Sequence, residues 1–207
     1  MKVLVSGFEP FGGLTTNPTE QLVQEAKKFS IDGVTIETVL LPVVYHRCTE
    51  QLIEVIEREK PAVVLSLGLA YGRSEITPER IGINIQDTFG EGTKGDNEGR
   101  KPVDVPIDPN GPDGLFSTLP NRLIVEALKQ HQLPAVISNT AGTYICNNTL
   151  YGVLHYIQQH QLPIKAGFVH IPATPEMVID KPDIPSLPFE QLKKALHIII
   201  ETIKDNG

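Results

Sequence analysis

The sequence is poor in cysteine and contains no long apolar run. Its 207 residues include two cysteines, which could form one disulfide, but a cytosolic chain keeps such residues as thiols. No apolar stretch approaches the ~20 residues that a membrane-spanning helix needs. The opening residues, MKVLVSG, are too short an apolar run for a secretory signal. We therefore expect a cytoplasmic protein that has no membrane partner.

Clusters of positive charge are also missing. The chain carries 18 Lys and Arg against 25 Asp and Glu, a formal net charge of −7 at pH 7. Domains that bind nucleic acid usually concentrate Lys and Arg on one face, so we expect no nucleic-acid partner. Ordinary hydrophobic and charged contents, together with the length, predict one globular domain over residues 1–207.

Several common ligand and catalytic motifs are absent. The segment GFEPFGG has glycines spaced like a phosphate-binding loop, but Gly13 and Leu14 stand where Lys and Ser or Thr are required. No Cys/His cluster has zinc spacing, and no helix carries histidines at i and i+4 with a glutamate. The G-x-S-x-G motif of serine hydrolases does not occur. We expect neither a metal nor a cofactor.

Short apolar runs alternate with amphipathic patterns along the chain. The predicted strands are KVLVSG, VTIETVLL, AVVLSLG, ERIGINI, AVISN and KAGFVH. The predicted helices are PTEQLVQEAKKF, CTEQLIEVIERE, NRLIVEALKQH, NTLYGVLHYIQQ and FEQLKKALHIIIETI. Asn17 is placed to cap the first helix, with Pro18 at its first position. Strands separated by such helices are typical of an α/β fold whose mostly parallel sheet is covered on both faces.

The alternation stops over residues 86–118, which contain six glycines and several prolines. A loop of this length in a compact domain is usually functional or covered by another subunit. A second proline-rich stretch, IPATPEMVIDKPDIPSLP, precedes the last helix. We expect these two segments to contribute to contacts in a homo-oligomer.

One cysteine lies where an α/β sheet forms its ligand site, outside the carboxyl ends of the strands. Cys146 follows AVISN through a turn and opens a helix, where unpaired N–H groups and the helix dipole favour a thiolate. It is the candidate nucleophile, and the alternative is a small buried thiol. Cys48 shares a helical face with Leu52, Val55 and Ile56 and is interpreted as part of the core.

A histidine and a carboxylate complete the candidate group. His170 ends the strand KAGFVH at the same sheet edge and is the candidate base, the alternative being a structural histidine in a turn. The histidines interpreted as surface or helix-boundary groups are His46, His131, His155, His160 and His197. A carboxylate that orients the imidazole would complete a triad. Glu9, Glu75 and Glu79 are all candidates, and spacing alone does not choose among them.

Two segments resemble a known family. SNTAGTYICN (residues 138–147) and GLAYGRSEITPERIGIN (residues 68–84) resemble the two signature segments of the pyroglutamyl peptidases, also called pyrrolidone-carboxylate peptidases. VSGFEPFGG and GFVHIP match as well, in the same order, over essentially the whole chain. The resemblance implies a cysteine peptidase that removes N-terminal pyroglutamate from peptides. It also implies a single-domain α/β/α sandwich with a mostly parallel or mixed central sheet, assembled as a homotetramer.

The resemblance assigns roles to individual residues. It implies that Cys146 is the nucleophile, His170 the base and Glu79 the orienting carboxylate. The residues that it implies to line the apolar pocket for the lactam ring, or to lie beside it, are Phe8, Phe11, Asn17, Tyr144 and Ile145.

Two positions depart from the family pattern, and two other function classes stay open. Leu69 stands where members have Gln, and the loop QDTFGEGTKG holds Lys94 where members have an arginine. One alternative is a nucleoside-phosphorolytic enzyme of similar fold, which would need a basic phosphate site beyond Arg73 and Arg80. The other is a catalytically inactive member that binds a small molecule or peptide, in which Cys146 is structural.

Overall fold

The computed structural model describes residues 1–89 and 95–206, and these ranges contain seven strands and five α-helices. The strands are β1 (Lys2–Phe8), β2 (Thr35–Leu41), β3 (Val63–Leu69), β4 (Thr77–Pro78), β5 (Ile81–Ile83), β6 (Gly114–Phe116) and β7 (Lys165–Ile171). The helices are α1 (Pro18–Ala26), α2 (Arg47–Glu59), α3 (Asn121–Gln130), α4 (Ile145–Gln159) and α5 (Phe189–Asp205). A short 3-10 helix, Pro175–Met177, lies between β7 and α5.

The central sheet is mixed but mostly parallel, as the sequence predicts. In the described residues its strand order is β2-β1-β3-β7-β4, with β4 antiparallel to β7 and the other neighbours parallel. The chain goes from β1 to β2 on one side and returns to β3 on the other. Open α/β sheets form their ligand sites at such a switch point, beyond the carboxyl ends of the strands.

Helices cover both faces of this sheet, because successive side chains of a strand point to opposite faces. On one face, Val3 and Val5 of β1 belong to a core that α1, α3 and α5 complete. On the other face, Leu4 belongs to a core with residues of α2 and α4. The fold is therefore an α/β/α sandwich. Among the described residues, no helix combines the length and the apolar character that crossing a bilayer requires.

The first helix begins as predicted. Oδ1 of Asn17 accepts the backbone N–H of Thr19 at 3.1 Å, and Pro18 occupies the first turn. This bond satisfies one of the backbone donors that a helix start leaves unpaired. Nδ2 of Asn17 donates to the carbonyl of Glu9 at 3.1 Å, which ties this helix start to the residue that follows β1.

The prediction of a regular strand at AVISN was wrong. The segment lies parallel to β4 and touches it through two isolated bridges, Ile76–Ala135 and Glu79–Ser138. Pro78 in β4 has no N–H to donate, so a continuous ladder cannot form at this edge. The bridges nevertheless bring the turn that precedes Cys146 alongside Glu79. The strand predicted at ERIGINI is also shorter than expected, and its β5 pairs with β6 outside the main sheet.

Candidate active site

Cys146 lies in the first turn of α4, at the carboxyl edge of the sheet. Its thiol is partly buried and lies against the end of β3. A Cβ atom at Gly68 would be only 3.0 Å from Sγ of Cys146 and 2.5 Å from the ring of Phe168. Because glycine has no side chain, position 68 leaves room for the thiol of Cys146. At this helix start, backbone N–H groups and the helix dipole favour the thiolate.

His170 and Glu79 form a direct hydrogen bond at the same edge. Nδ1 of His170, near the end of β7, lies 2.7 Å from Oε1 of Glu79, which follows β4. An ionised carboxylate only accepts hydrogen bonds, so Nδ1 is the protonated nitrogen and Nε2 the acceptor. Of the three candidate carboxylates, Glu79 alone contacts His170 in this way. Glu9 is exposed, and Glu75 accepts the hydroxyl of Ser74 at 2.7 Å.

Glu79 is completely buried, and Arg73 also contacts it. Nη1 of Arg73 donates to Oε1 of Glu79 at 2.8 Å. Burial by itself raises the pKa of the Glu79 carboxyl. The hydrogen bond and charge of His170, together with hydrogen bonds from Ser138 and Arg73, lower this pKa by more than burial raises it. The net pKa of Glu79 lies below its usual value, so the carboxyl is ionised at neutral pH. Sequence spacing suggests Arg73 only as a phosphate ligand and does not predict this contact.

Two cavities meet at Cys146. The first has a volume of about 330 Å³ and is lined by Phe11, Leu69, Ala70, Tyr71, Arg73, Ala141, Tyr144, Cys146 and His170. The second is narrow and mostly apolar and is lined by Phe8, Phe11, Asn17, Val43, Leu69, Tyr144, Ile145 and Cys146. The structure thus brings all five residues expected at a lactam pocket to the second cavity. Val43 could not be predicted there from the sequence, because it is an ordinary buried valine in a loop.

Leu69 lines both cavities beside the thiol. This chain therefore presents an apolar side chain at the position where the family resemblance implies an amide. Most of the polar capacity of Asn17 is already used, because Oδ1 accepts from the backbone N–H and the hydroxyl of Thr19 and Nδ2 donates to the carbonyl of Glu9. Within the described part of the chain, one N–H of the Asn17 amide has no partner and remains for a ligand.

A turn over residues 95–100, which contains the DNEG sequence, holds the outer wall of the apolar cavity. The hydroxyl of Tyr144 donates to the carbonyl of Gly95 at 2.8 Å, and Nδ2 of Asn97 donates to the carbonyl of Pro10 at 3.1 Å. The buried carboxylate of Asp96 fixes the turn by accepting the backbone N–H groups of Tyr45, Glu98 and Arg100. No sequence pattern predicts this role of Asp96.

Burial, with the charges of Asp96 and Cys146, raises the pKa of Tyr144 to about 12. The phenol is therefore neutral at any working pH and remains a donor to Gly95. Lys94, which the sequence places just before this turn, lies outside the described residues.

The second cysteine is a core residue, as predicted. Cys48 is fully buried among Leu52, Val55 and Ile56, and its sulfur accepts the hydroxyl of Thr149 at 3.2 Å. Burial raises the pKa of the Cys48 thiol, which disfavours the reactive thiolate. Within residues 1–89 and 95–206, no group of three His, Cys, Asp or Glu side chains is arranged to hold a metal ion.

The chain is similar to known peptidases over its whole length. A sequence model of a family described as "Pyroglutamyl peptidase" matches residues 1–206. Pyrrolidone-carboxylate peptidase 1 of Caldanaerobacter subterraneus subsp. tengcongensis is 44% identical over 203 residues, which cover 98% of each chain. The pyrrolidone-carboxylate peptidase of Bacillus licheniformis is 44% identical over 95% of this chain and 89% of its own.

Solved structures agree with these relatives. The crystal structure of pyroglutamyl peptidase I from Bacillus amyloliquefaciens has a TM-score of 0.93 and 38% identity, covering 98% of this chain and 94% of that one. A variant of pyrrolidone carboxyl peptidase from the hyperthermophile Pyrococcus furiosus has a TM-score of 0.94 and 40% identity, covering 100% and 99%. The chain belongs to the pyroglutamyl peptidase family.

Proposed function

We propose that the protein is a cysteine peptidase that releases an N-terminal pyroglutamyl residue from peptides, with Cys146, His170 and Glu79 as its catalytic residues. Family membership supports the reaction. The observation that supports these three residues is their geometry: Cys146 and His170 line one cavity, and the Nδ1 to Oε1 distance between His170 and Glu79 is 2.7 Å. A nucleophile, a base and an orienting carboxylate are the parts that acyl transfer needs.

The reaction begins with proton transfer from the Cys146 thiol to Nε2 of His170. The thiolate attacks the pyroglutamyl carbonyl, and the N–H groups of the first turn of α4 hold the oxyanion. When the C–N bond breaks, the released amine takes the proton from His170, and a pyroglutamyl thioester remains on Cys146. A water molecule, deprotonated by His170, then hydrolyses the thioester and frees pyroglutamate. Glu79 stays ionised throughout and stabilises the imidazolium.

The narrow cavity is the proposed site of the lactam ring. Its volume is about 10 Å³, so its side chains would have to move apart when the ring binds. Phe8 and Phe11 offer apolar contact to the faces of a flat five-membered ring. Such contact separates similar rings by only ~1–3 kcal/mol. Proline differs more strongly, because its protonated amine would have to lose water without a partner in this cavity. Proline also lacks the ring carbonyl, to which the remaining N–H of Asn17 or a backbone donor would bind.

Comparison of three substrates tests this function. We expect release of a reporter amine from a pyroglutamyl amide, no measurable release from the prolyl and glutamyl amides, and loss of activity after treatment with iodoacetamide. Sites that hydrogen-bond a polar group reject analogues without it by about 10⁴-fold or more. Prolyl turnover within about tenfold of pyroglutamyl turnover, or activity that survives alkylation, would contradict the proposal.

The alternative functions lack support in the site. Arg73 is bound to Glu79, and Arg80 donates to Oδ1 of Asn139 at 2.7 Å, so neither is positioned as part of a phosphate site. Titration of the thiols separates the inactive binder from the peptidase. In a peptidase Cys146 reacts rapidly near neutral pH, whereas a structural cysteine does not.

We further propose a homotetramer in the cytoplasm. Exposed apolar side chains support the assembly: Phe89, Val103 and Phe116 are 88%, 62% and 67% exposed within the long loop, and Ile179 in the second proline-rich stretch is 82% exposed. Exposed apolar side chains of this size would be covered if these segments contact another subunit. A reducing compartment suits the nucleophilic thiol. Light scattering should give four chains per particle, and a monomer at micromolar concentration would refute the assembly.

A further inference from the structure

Arg73 reaches the reacting residues from the loop that follows β3. Its Nη1 donates to Oε1 of Glu79, the same oxygen that accepts Nδ1 of His170. The guanidinium also lines the 330 Å³ cavity with Cys146 and His170. A single carboxylate oxygen is thus shared between a permanent cation and the imidazole.

The buried carboxylate needs such a partner. The side chain of Glu79 is 0% exposed, and a carboxyl withdrawn from water tends to take up a proton. Among the described residues, its second oxygen, Oε2, has no hydrogen-bond partner, so its hydrogen bonds converge on Oε1. A protonated Glu79 would no longer stabilise the imidazolium of His170. Arginine keeps its charge at every pH at which a protein is folded.

The guanidinium of Arg73 is held in place by three further groups. Nη1 lies 2.8 Å from Oγ1 of Thr77 and 3.4 Å from Oγ of Ser138, and Nη2 donates to the carbonyl of Thr140 at 3.2 Å. These groups come from β4 and from the segment that leads to the nucleophile. The side chain is 34% exposed, yet these contacts fix its direction.

We propose that Arg73 is a positioning residue that keeps Glu79 ionised and directs Oε1 at His170 when the pH falls. This role rests on the proposed peptidase function. The charged or titratable groups that face Glu79 in the described residues are Arg73 from the β3–β4 loop and His170 from β7, with Cys146 of α4 across the same cavity. Without Arg73 the pKa of Glu79 rises. On acidification, the enzyme therefore begins to lose activity at a higher pH than the parent does.

Substitutions at Arg73 test this role, and a substitution at Arg80 is the matched control. Arg80 donates to Asn139, on the same segment that Arg73 contacts, but the structure shows no bond from it to Glu79. We expect Arg73→Gln to lower kcat about tenfold or more at neutral pH, with KM changed less than about twofold, and to move the acid limb of the kcat profile to higher pH. Arg73→Lys should restore part of the loss, and Arg80→Gln should leave the acid limb unchanged.

Coupling to Glu79 separates this role from general support of the fold. If Arg73 acts through the carboxylate, Arg73→Gln should cost little in a Glu79→Gln background, so the double variant resembles Glu79→Gln alone. An additive loss, or an unchanged acid limb in folded Arg73→Gln, would overturn the proposal. If Arg73→Gln does not fold, the same comparison with Arg73→Met, which also removes the charge, decides it.

The rate of Cys146 alkylation by iodoacetamide is a second readout that needs no substrate. The acid limb of the pH profile of this alkylation rate should move to higher pH in the Arg73 variants and stay in place in Arg80→Gln. If the parent alkylates rapidly but releases nothing from a pyroglutamyl amide, the proposed function fails while the alkylation profile still tests Arg73. If the parent is active and the alkylation profiles coincide, only the role of Arg73 fails.

Discussion

Nδ1 of His170 lies 2.7 Å from Oε1 of Glu79, and neither side chain is more than 6% exposed. The bond fixes the tautomer, because the carboxylate accepts the Nδ1 proton and leaves Nε2 able to receive one. It also compensates the charge that the imidazole acquires when it deprotonates Cys146. The pair therefore determines both the direction and the charge of the proposed base.

Glu79→Gln should lower kcat without a large change in KM. Glutamine keeps the shape, but its amide can present N–H to Nδ1 and so select the wrong tautomer. In a serine triad the equivalent change costs about 10⁴-fold, and we expect about 10²- to 10⁴-fold here because a thiolate depends less on its base. Steady-state kinetics on a pyroglutamyl amide provide the measurement. Parameters equal to those of the parent would show that Glu79 does not orient His170.

Acid stability should also depend on Glu79. Because the pKa of Glu79 is lowered in the folded state, its contribution to stability is fully present above the unfolded pKa of about 4.3 and is lost as the pH falls through the folded pKa. Urea unfolding between about pH 4.5 and pH 3 should therefore show a steeper loss in the parent than in Glu79→Gln. Glu75→Gln, which removes a carboxylate that contacts Ser74, controls for the loss of one charge. Equal slopes in the parent and in Glu79→Gln would contradict this assignment.

The two cysteines should separate activity from stability. Cys146→Ala should remove nearly all turnover and change the unfolding free energy little, because its side chain is only partly buried. Cys48→Ala should keep turnover but cost about 1–2 kcal/mol of stability, since it leaves a small space in the core, while the hydroxyl of Thr149 keeps the carbonyl of Ile145 as its acceptor. Kinetics and chemical denaturation of both variants give the comparison. Equal loss of turnover in the two would exclude Cys146 as the nucleophile.

The position of Cys146 does not follow from a parallel strand, because the segment before it runs parallel to β4 and therefore antiparallel to β7. The position of His170 could be predicted, because β7 is parallel to β3 and parallel strands end at one edge. Any side chain that directly follows such a strand must lie there, whatever the loops do. The choice of Glu79 over Glu9 and Glu75 could not be made in this way, since it depends on a side-chain contact across β4 and β7. The family resemblance supplied it instead.

Other parts of the site depend on loops that fold back from a distance in sequence. Arg73 reaches Glu79 because the β3–β4 loop turns toward the cavity, and Asp96 reaches the N–H of Tyr45 across 51 positions. The periodic pattern of apolar residues in the sequence does not predict such contacts. The wrong prediction of a strand at AVISN has a similar origin. Whether this segment forms a regular strand depends on its pairing with the two-residue β4 and not on its own β propensity.

Gly68→Ala should damage catalysis more than stability. A Cβ atom at this position would lie 2.5 Å from the Phe168 ring and 3.0 Å from Sγ of Cys146, so both side chains would have to move. Displacement of a reacting atom by about 1 Å can cost about 10²-fold in rate, and we expect kcat to fall by at least tenfold. Overpacking should cost about 1–3 kcal/mol of stability at the same time.

Gly167→Ala is the matched control for this substitution. Gly167 lies in β7, and a Cβ atom there would meet Ser117 and Leu119, with Cys146 not among its nearest contacts. It should therefore lose a comparable amount of stability while the folded protein keeps its kcat and its rate of Cys146 alkylation. Measurement of kcat, alkylation rate and urea unfolding on both variants distinguishes the two effects. If kcat per folded molecule fell equally in both, the position of the thiol would not depend on the absent side chain at Gly68.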